Sequence, residues 1–312
     1  MKIFNNTNIS KIYKNSALAI GNFDGVHQGH QKVFKEAKKI SNNKKIKFGV
    51  LTFTPLPVMF FNKKIKNYRL ASEKQKIDFF KKNKVDFVLN LKFDKKFSKI
   101  SALDFIMKVI YKKINPRFLA VSNNFRFGRN RKGDINLLKK FSRSCNYQLL
   151  NIIPFKFNTK TISSTKIRNY IKIGNLKLAN KLLSRTWSIE GVVTKGKRIG
   201  RKLGYRTCNI NIKNYILPRE GIYAVKVAIE DKKKFYGGVS YLGSRPTFGG
   251  KDVFLETNIF GLNKNLYRKK LRIYFLKFLR GDRKFRSSKE LIRQMNKDVI
   301  FAKKGLKTKL IL

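Results

Sequence analysis

Along the first half of the chain, short apolar blocks alternate with longer stretches patterned every three to four residues. An apolar run ending at Ala19-Ile20 breaks at Gly21 into a glycine-rich turn, and Gln31 to Ile40 follows with helical spacing. Lys47 to Phe53 reads as a buried strand that ends at Thr54-Pro55-Leu56-Pro57. Ser72 to Lys82 reads as a helix, Val85 to Asn90 as a strand and Ser101 to Lys112 as a helix. Phe118 to Val121 is the next strand, leading into Ser122-Asn123-Asn124-Phe125-Arg126-Phe127-Gly128. This alternation predicts an α/β unit with a parallel sheet wrapped by helices, in which ligands bind beyond the carboxyl ends of the strands. The three motif-bearing turns, after Ile20, after Phe53 and after Val121, all fall at such ends. Hydroxyl residues in Ile162-Ser163-Ser164-Thr165 are placed to cap a helix that carries Arg168 and continues toward Leu183.

Near Trp187 the pattern changes. Ser188–Thr194, 221–227, 236–241, 253–260 and 271–279 are short β-rich runs separated by Gly, Pro and Asn turns, the signature of an antiparallel barrel. Ser287 to Lys304 reads as a closing helix. The division predicted is residues 1–185 and 186–312, with a short joint, since no low-complexity linker separates the halves.

At 312 residues and 42% hydrophobic content, two ordinary cores are available, and no disordered polyelectrolyte is indicated. Charge complicates this picture: 73 Lys+Arg against 17 Asp+Glu give a net +56, a balance that ordinarily points to nucleic acid. Here the lysines are scattered among Asn, Ile and Phe rather than gathered in one patch, as a single compositional bias would leave them. No specific nucleic-acid partner is expected, only weak nonspecific polyanion association. Cys145 and Cys208 lie far apart and suggest neither a disulfide framework nor structural zinc. No apolar run approaches a membrane span and no signal peptide opens the chain, so a cytoplasmic protein without a membrane partner is expected.

Candidate chemistry concentrates in Gly21-Asn22-Phe23-Asp24-Gly25-Val26-His27-Gln28-Gly29-His30, which holds both histidines of the chain. If His27 opens a helix, His30 lies one turn on along the same face, and both imidazoles can meet one ligand. Glycines before a helix allow close backbone approach, and the first-turn N–H groups favour an anion, so the stretch describes a phosphate site. Arg168, one turn into its helix, can clamp a polyphosphate. In the second half, Gly196-Lys197-Arg198-Ile199-Gly200-Arg201-Lys202-Leu203-Gly204 is a basic, glycine-punctuated loop suited to phosphate oxygens. Thr207 and Asn209, two apart on an incipient strand, present a hydroxyl and an amide oxygen on one side, fit for Mg²⁺. Glu256 is the general-base candidate in a half crowded with lysine.

Taken in order, these motifs resemble those of the bacterial bifunctional riboflavin kinase/FMN adenylyltransferase family, the FAD synthetases, over nearly the whole chain. The resemblance rests on Gly21–His30, Asn124–Gly128 with Arg131 and Gly133, and Ile162–Arg168. In the second half it rests on Gly191-Val192-Val193, Gly200–Gly204, Gly243-Ser244-Arg245-Pro246-Thr247-Phe248, Leu255-Glu256, and the tail through Phe278-Leu279-Arg280 and Lys284-Phe285. It implies a Rossmann-like nucleotidyltransferase domain followed by a riboflavin kinase β-barrel. The implied reactions are phosphorylation of riboflavin by ATP to FMN, then transfer of AMP from a second ATP to FMN, giving FAD and pyrophosphate, with Mg²⁺ as cofactor.

The residue roles implied begin at Gly21, Asn22, Phe23, Asp24, Gly25, His27 and His30 around the ATP phosphates. Asn124 positions nucleotide or flavin, Arg126 joins the ATP/phosphate-binding set, and Ser164, Thr165 and Arg168 hold the pyrophosphate. In the kinase, Gly196, Gly200, Arg201 and Gly204 bind ATP, Thr207 and Asn209 hold Mg²⁺, Glu256 is the base, and Arg280 contacts phosphate or flavin. The chain departs from the family pattern in three places. Leu56 stands where a histidine is usual, Arg206-Thr207-Cys208-Asn209 replaces Pro-Thr-Ala-Asn, and Ser122 replaces a glycine. Both activities are expected to persist, with weaker affinity for flavin or metal. Two other readings use parts of the same evidence. One is a nucleotidyltransferase for another dinucleotide or coenzyme precursor, which leaves the barrel motifs unexplained. The other is a basic RNA-binding protein on a retired enzyme scaffold, which has no need of His27, His30, Thr207, Asn209 and Glu256. Oligomeric state is not expressed in these patterns.

Overall fold

Short strands with buried alternating faces build the first half, as the apolar blocks predict. The computed structural model describes residues 1–157, 159–195, 204–230, 234–247, 250–306 and 310–312. Strands β1 (Lys2–Phe4), β2 (Ala17–Ile20), β3 (Phe48–Thr54), β4 (Phe87–Lys92), β5 (Phe118–Ser122) and β6 (Gln148–Ile152) form one sheet in the order β1-β4-β3-β2-β5-β6, with every pairing parallel. The helices are α1 (Gln28–Asn43), α2 (Pro57–Phe61), α3 (Glu73–Lys82), α4 (Lys95–Ser98), α5 (Ala102–Asp104) and α6 (Ile135–Lys140).

Period-two alternation splits the core between the two faces of this sheet. Leu18, Ile20, Leu51, Phe53 and Leu89 pack on Phe105, Ile106, Val109 and Ile110 on one side. Ala19, Val50, Val88 and Ala120 pack on Val33, Phe34 and Ala37 of α1 and on Phe80 of α3 on the other. Gly49 belongs to the first of these faces, because a Cβ there would lie 2.2 Å from the ring of Phe87, which packs on that side.

Two helices depart from expectation. The predicted helix over 101–112 starts as α5, capped by Ser101, then continues with π-type winding over Phe105–Ile114 and stops at left-handed Asn115. The helix expected to run unbroken toward Leu183 is two helices, α7 (Ser164–Lys172) and α8 (Leu176–Leu183). Gly174 breaks it at φ 80°, and the Asn175 side chain caps the second piece by accepting from Leu178 N at 3.2 Å.

The second half is a closed barrel of six strands: β9 (Ser188–Thr194), β10 (Thr207–Ile210), β11 (Gly221–Ile229), β12 (Phe235–Thr247), β13 (Gly250–Ile259) and β14 (Lys270–Arg280). A two-stranded ribbon, β7 (Lys156–Phe157) with β8 (Lys160–Thr161), precedes α7. The barrel order is β10-β13-β12-β11-β14-β9, antiparallel throughout and closed by the β9–β10 pair. Ile189, Val193, Val225, Val227, Leu242, Leu255, Ile273 and Phe275 are buried within it. The closing helix is α9 (Ser288–Gly305), capped by Ser287, whose hydroxyl accepts from Glu290 N at 3.2 Å.

The chain divides into two compact units, Met1–Lys66 with Glu73–Ser163, and Asn67–Ser72 with Ser164–Leu312. The six residues Asn67–Ser72 thus belong with the barrel despite their place in the sequence.

Candidate active site

In the first unit the chain runs from β2 to β3 on one side of the sheet and returns to β5 on the other, so the strand order reverses around β2. Such a switch point opens a crevice beyond the carboxyl ends of its strands. The Gly21–His30 turn leaves β2 there. Gly21 N donates to Leu51 O at 3.1 Å and the Thr52 hydroxyl donates to Asn22 O at 3.0 Å, which holds the turn to β3. Phe23, Gly25 and Val26 all adopt left-handed backbone, with φ of 48°, 75° and 38°. For a β-branched residue such as Val26 this stores about 1–3 kcal/mol of strain, which the buried turn around it must offset.

That turn delivers His27 to the N-cap position of α1, with His30 N and Gln31 N donating to His27 O at 2.8 and 3.0 Å. The two imidazoles stack, with ring centroids 3.6 Å apart and planes at 20°, and the Phe23 ring meets His30 edge-on at 5.2 Å. Gly29 lets the pair close up, since a Cβ at that position would stand 3.1 Å from the His27 ring. The helix expected over 31–40 therefore starts at Gln28, with both histidines at its mouth.

The turn after β5 opens on the same crevice. Ser122, in place of the family's glycine, donates from Oγ to the Asn124 carboxamide oxygen at 2.6 Å. Arg126 is exposed and pairs with Asp134 at 3.0 Å. Leu56, in place of the family's histidine, is buried apolar surface that enters α2.

Ser164, Thr165 and Arg168 lie on α7 and cluster with the second unit. Arg168 is buried; its Nε donates to Tyr68 O at 2.8 Å and its guanidinium lies 3.7 Å over the Tyr68 ring. Tyr68 is fixed in turn. Tyr68 N and Arg69 N donate to Asn214 O, Ile216 N donates to Arg69 O, and the Trp187 indole donates to Leu70 O at 2.9 Å. Nothing in the local sequence signals this seat, because its parts are about a hundred residues apart.

In the barrel, Thr207 and Asn209 alternate with Cys208 and so share a face of β10. The register of β10 with β13 puts Asn209 opposite Glu256 and Thr207 opposite Asn258, and β12 continues the row with Tyr241 opposite Glu256. Leu255, Thr257 and Ile259 take the buried alternate positions, so Glu256 stands half-buried on the outer side of the wall. Cys208 donates from Sγ to Thr257 O at 3.2 Å; burial pushes its thiol up to about 12. Arg206 turns to the Asn263 side chain.

Arg280 forms a two-point ion pair with buried Asp298 of α9, Nε to Oδ1 at 2.9 Å and a terminal nitrogen to Oδ2 at 2.7 Å, and also donates to Gly281 O. Gly204 is left-handed at φ 84° with open space where a Cβ would go. Gly196, Gly200 and Arg201 lie outside the described residues. Sequence reasoning missed Tyr68, which seats Arg168, and Asp298, which clamps Arg280, each from a distant segment.

One unit carries two stacked histidines at a helix mouth by a switch-point crevice, and the other is a barrel whose strands align a hydroxyl, a carboxamide and a carboxylate; together these features define a class of ATP-dependent group transferases. Residues 9–166 match the family model described as FAD synthetase, and residues 183–306 match that of riboflavin kinase. The chain is 39% identical over 300 residues to the bifunctional riboflavin kinase/FMN adenylyltransferase of Buchnera aphidicola subsp. Schizaphis graminum, covering 95% of this chain and 96% of that one. It is 34% identical to the Haemophilus influenzae protein of the same description, covering 95% and 96%, and 32% identical to that of Escherichia coli K12, covering 92% and 91%. A crystal structure from Streptococcus pneumoniae, described as a macrolide-efflux protein, superimposes with a TM-score of 0.84 at 26% identity, over 96% of this chain and 98% of that one. The chain belongs to the bifunctional riboflavin kinase/FMN adenylyltransferase family and carries both ATP-dependent activities of flavin cofactor synthesis. Among the described residues no helix is long and apolar enough to cross a membrane.

Proposed function

We propose that residues 1–185 transfer AMP to FMN and residues 186–312 phosphorylate riboflavin, with the residues above in the following roles. For adenylyl transfer the barrier is bringing a phosphate dianion onto an anionic α-phosphate, so the work is neutralisation and in-line positioning. His27 and His30 donate to the ATP phosphates, and the Gly21–Gly25 backbone with the first turn of α1 adds N–H groups and the helix dipole. Ser164, Thr165 and Arg168 hold the pyrophosphate side, and Asn124 and Arg126 position nucleotide or flavin.

For the kinase, Glu256 accepts the ribityl hydroxyl proton as that oxygen attacks the γ-phosphate. Gly196, Gly200, Arg201 and Gly204 cradle the nucleotide, and Arg280 reaches phosphate or flavin from its anchor on Asp298. The donor set at Thr207 and Asn209, two hard oxygens on one strand face, fits Mg²⁺, an ion that usually takes few protein ligands beside substrate phosphates. When bound it supplies neutralisation of the phosphate charge. Small molecules are the partners in this reading, in a cytoplasmic setting, with polyanion binding limited to weak nonspecific association.

The observation that carries the kinase assignment is the row Asn209–Glu256, which register alone sets side by side, and the stacked His27–His30 pair at the start of α1 supports the adenylyltransferase assignment. Chromatography of riboflavin, FMN and FAD after incubation with ATP and Mg²⁺ tests it. Wild type is expected to make FAD, His30→Ala to stall at FMN, and Glu256→Ala to leave riboflavin unchanged. Wild type stopping at FMN would remove the adenylyltransferase assignment, and FMN formation by Glu256→Ala would remove the base.

A further inference from the structure

The row that contains Glu256 continues through a residue with no assigned part. Tyr241 lies directly opposite Glu256 on β12, as Asn209 does on β10. Its ring leans along its own strand over Gly243, where a Cβ would stand 2.6 Å from the phenol oxygen. Gly243 therefore acts as the seat of Tyr241. The Phe254 ring meets Tyr241 edge-on, with centroids 5.6 Å apart and planes at 72°. The two rings make an aromatic wall on the strand pair that carries Glu256.

The phenol donates to Asp282 Oδ2 at 3.1 Å, in the connection between β14 and α9, while Asp282 Oδ1 accepts from Arg283 N at 2.8 Å. Arg283 donates to Gln294 Oε1 at 3.3 Å, and Gln294 donates to Asp298 Oδ1 at 2.9 Å, the carboxylate that clamps Arg280. One chain of hydrogen bonds thus runs from the Glu256 row through the connection to α9 and back to β14. Burial, then the Asp282, Glu220 and Glu256 carboxylates, push the phenol up to about 12, so it remains a donor across the physiological range.

We propose that Tyr241 is a positioning residue of the kinase site: through Asp282 it ties the connection after β14 to the Glu256 row and sets the wall against which riboflavin is held. This rests on Glu256 marking the kinase site. The test uses the full chain with ATP and Mg²⁺, reading kinase activity on riboflavin and, separately, adenylyl transfer on supplied FMN. Tyr241→Phe, Asp282→Ala and their double variant are compared with wild type, beside Glu256→Gln. Each single change is expected to raise the riboflavin KM about five- to tenfold with kcat within about twofold. The double should be no worse than the worse single, since both remove one bond. Adenylyl transfer is expected to be unchanged. An unchanged KM in Tyr241→Phe, additive effects in the double, or parallel loss of both activities at constant KM would overturn the proposal. If Glu256→Gln phosphorylates riboflavin normally, the base assignment falls, while the KM values and the cycle still decide Tyr241.

Discussion

Gly29 shows how one hydrogen in place of a side chain holds a site together. A methyl group there stands 3.1 Å from the His27 ring, which must give by a few tenths of an ångström against its stack on His30. Gly29→Ala is expected to cut adenylyl transfer about tenfold or more while riboflavin phosphorylation stays at wild-type rate, as parallel assays on FMN and riboflavin would show. Cys208 makes a residue-scale prediction of another kind. Its thiol is pushed from an ordinary 9.0 to about 12 by burial, and the Tyr215 and Tyr241 phenols from 10.0 to about 12 for the same first reason. A raised acid favours the fold while it stays protonated. These groups therefore contribute full stability below pH 9, and the contribution is lost as pH rises from about 9 toward 12, because the unfolded chain ionises first. Urea midpoints measured from pH 8 to 11 should fall, with a shallower fall for Cys208→Ala.

Among the elements, the segment Asn67–Ser72 and helix α9 each act as a fastener. Trp187 reaches Leu70 O and the Tyr68 ring underlies Arg168, so the segment is held from the barrel side and the α7 side together. Tyr68→Leu removes a desolvated cation–π contact of about 2 kcal/mol and loosens Arg168. The expected result is a lower urea midpoint together with a raised ATP KM in adenylyl transfer, while kinase KM values hold. Asp298 is the corresponding point on α9. Truncating it leaves a largely buried guanidinium without its carboxylate, and Asp298→Ala is expected to cost about 3–5 kcal/mol in chemical denaturation.

For the whole molecule, the decisive quantity is net charge. With 73 cationic side chains and 17 anionic ones, most cations face other cations across solvent, and the compact state bears that repulsion more than the unfolded one. Salt shortens the reach of the repulsion from about 30 Å at 0.01 M to about 10 Å at 0.1 M. Thermal melts across that range should therefore show Tm rising with ionic strength. A falling Tm would mean that local ion pairs such as Arg280–Asp298 outweigh the global field.

Much of this architecture was legible in the chain. Periodicity alone separates the α/β half from the barrel, because periods of 3.6 and 2 follow from backbone geometry and burial of one face. The pairing of His27 with His30 was legible too, since three residues make one helical turn. The break at Gly174 had a signal in Gly174-Asn175, a helix stop followed by an N-cap, although the apolar pattern continues across it; the π-type winding over Phe105–Ile114 had none, because the helical pattern runs straight through it. What the sequence could not contain was distance through space. Glu256 meets Asn209 and Tyr241 only through strand register, Arg280 meets Asp298 only through the docking of α9, and Tyr68 finds Arg168 only when its segment leaves the sheet for the barrel. Local composition and spacing determine which chemistry is available and on which element. Which groups share a site is decided by long-range pairing and packing, whose energies depend on the closed fold and on no single stretch of chain.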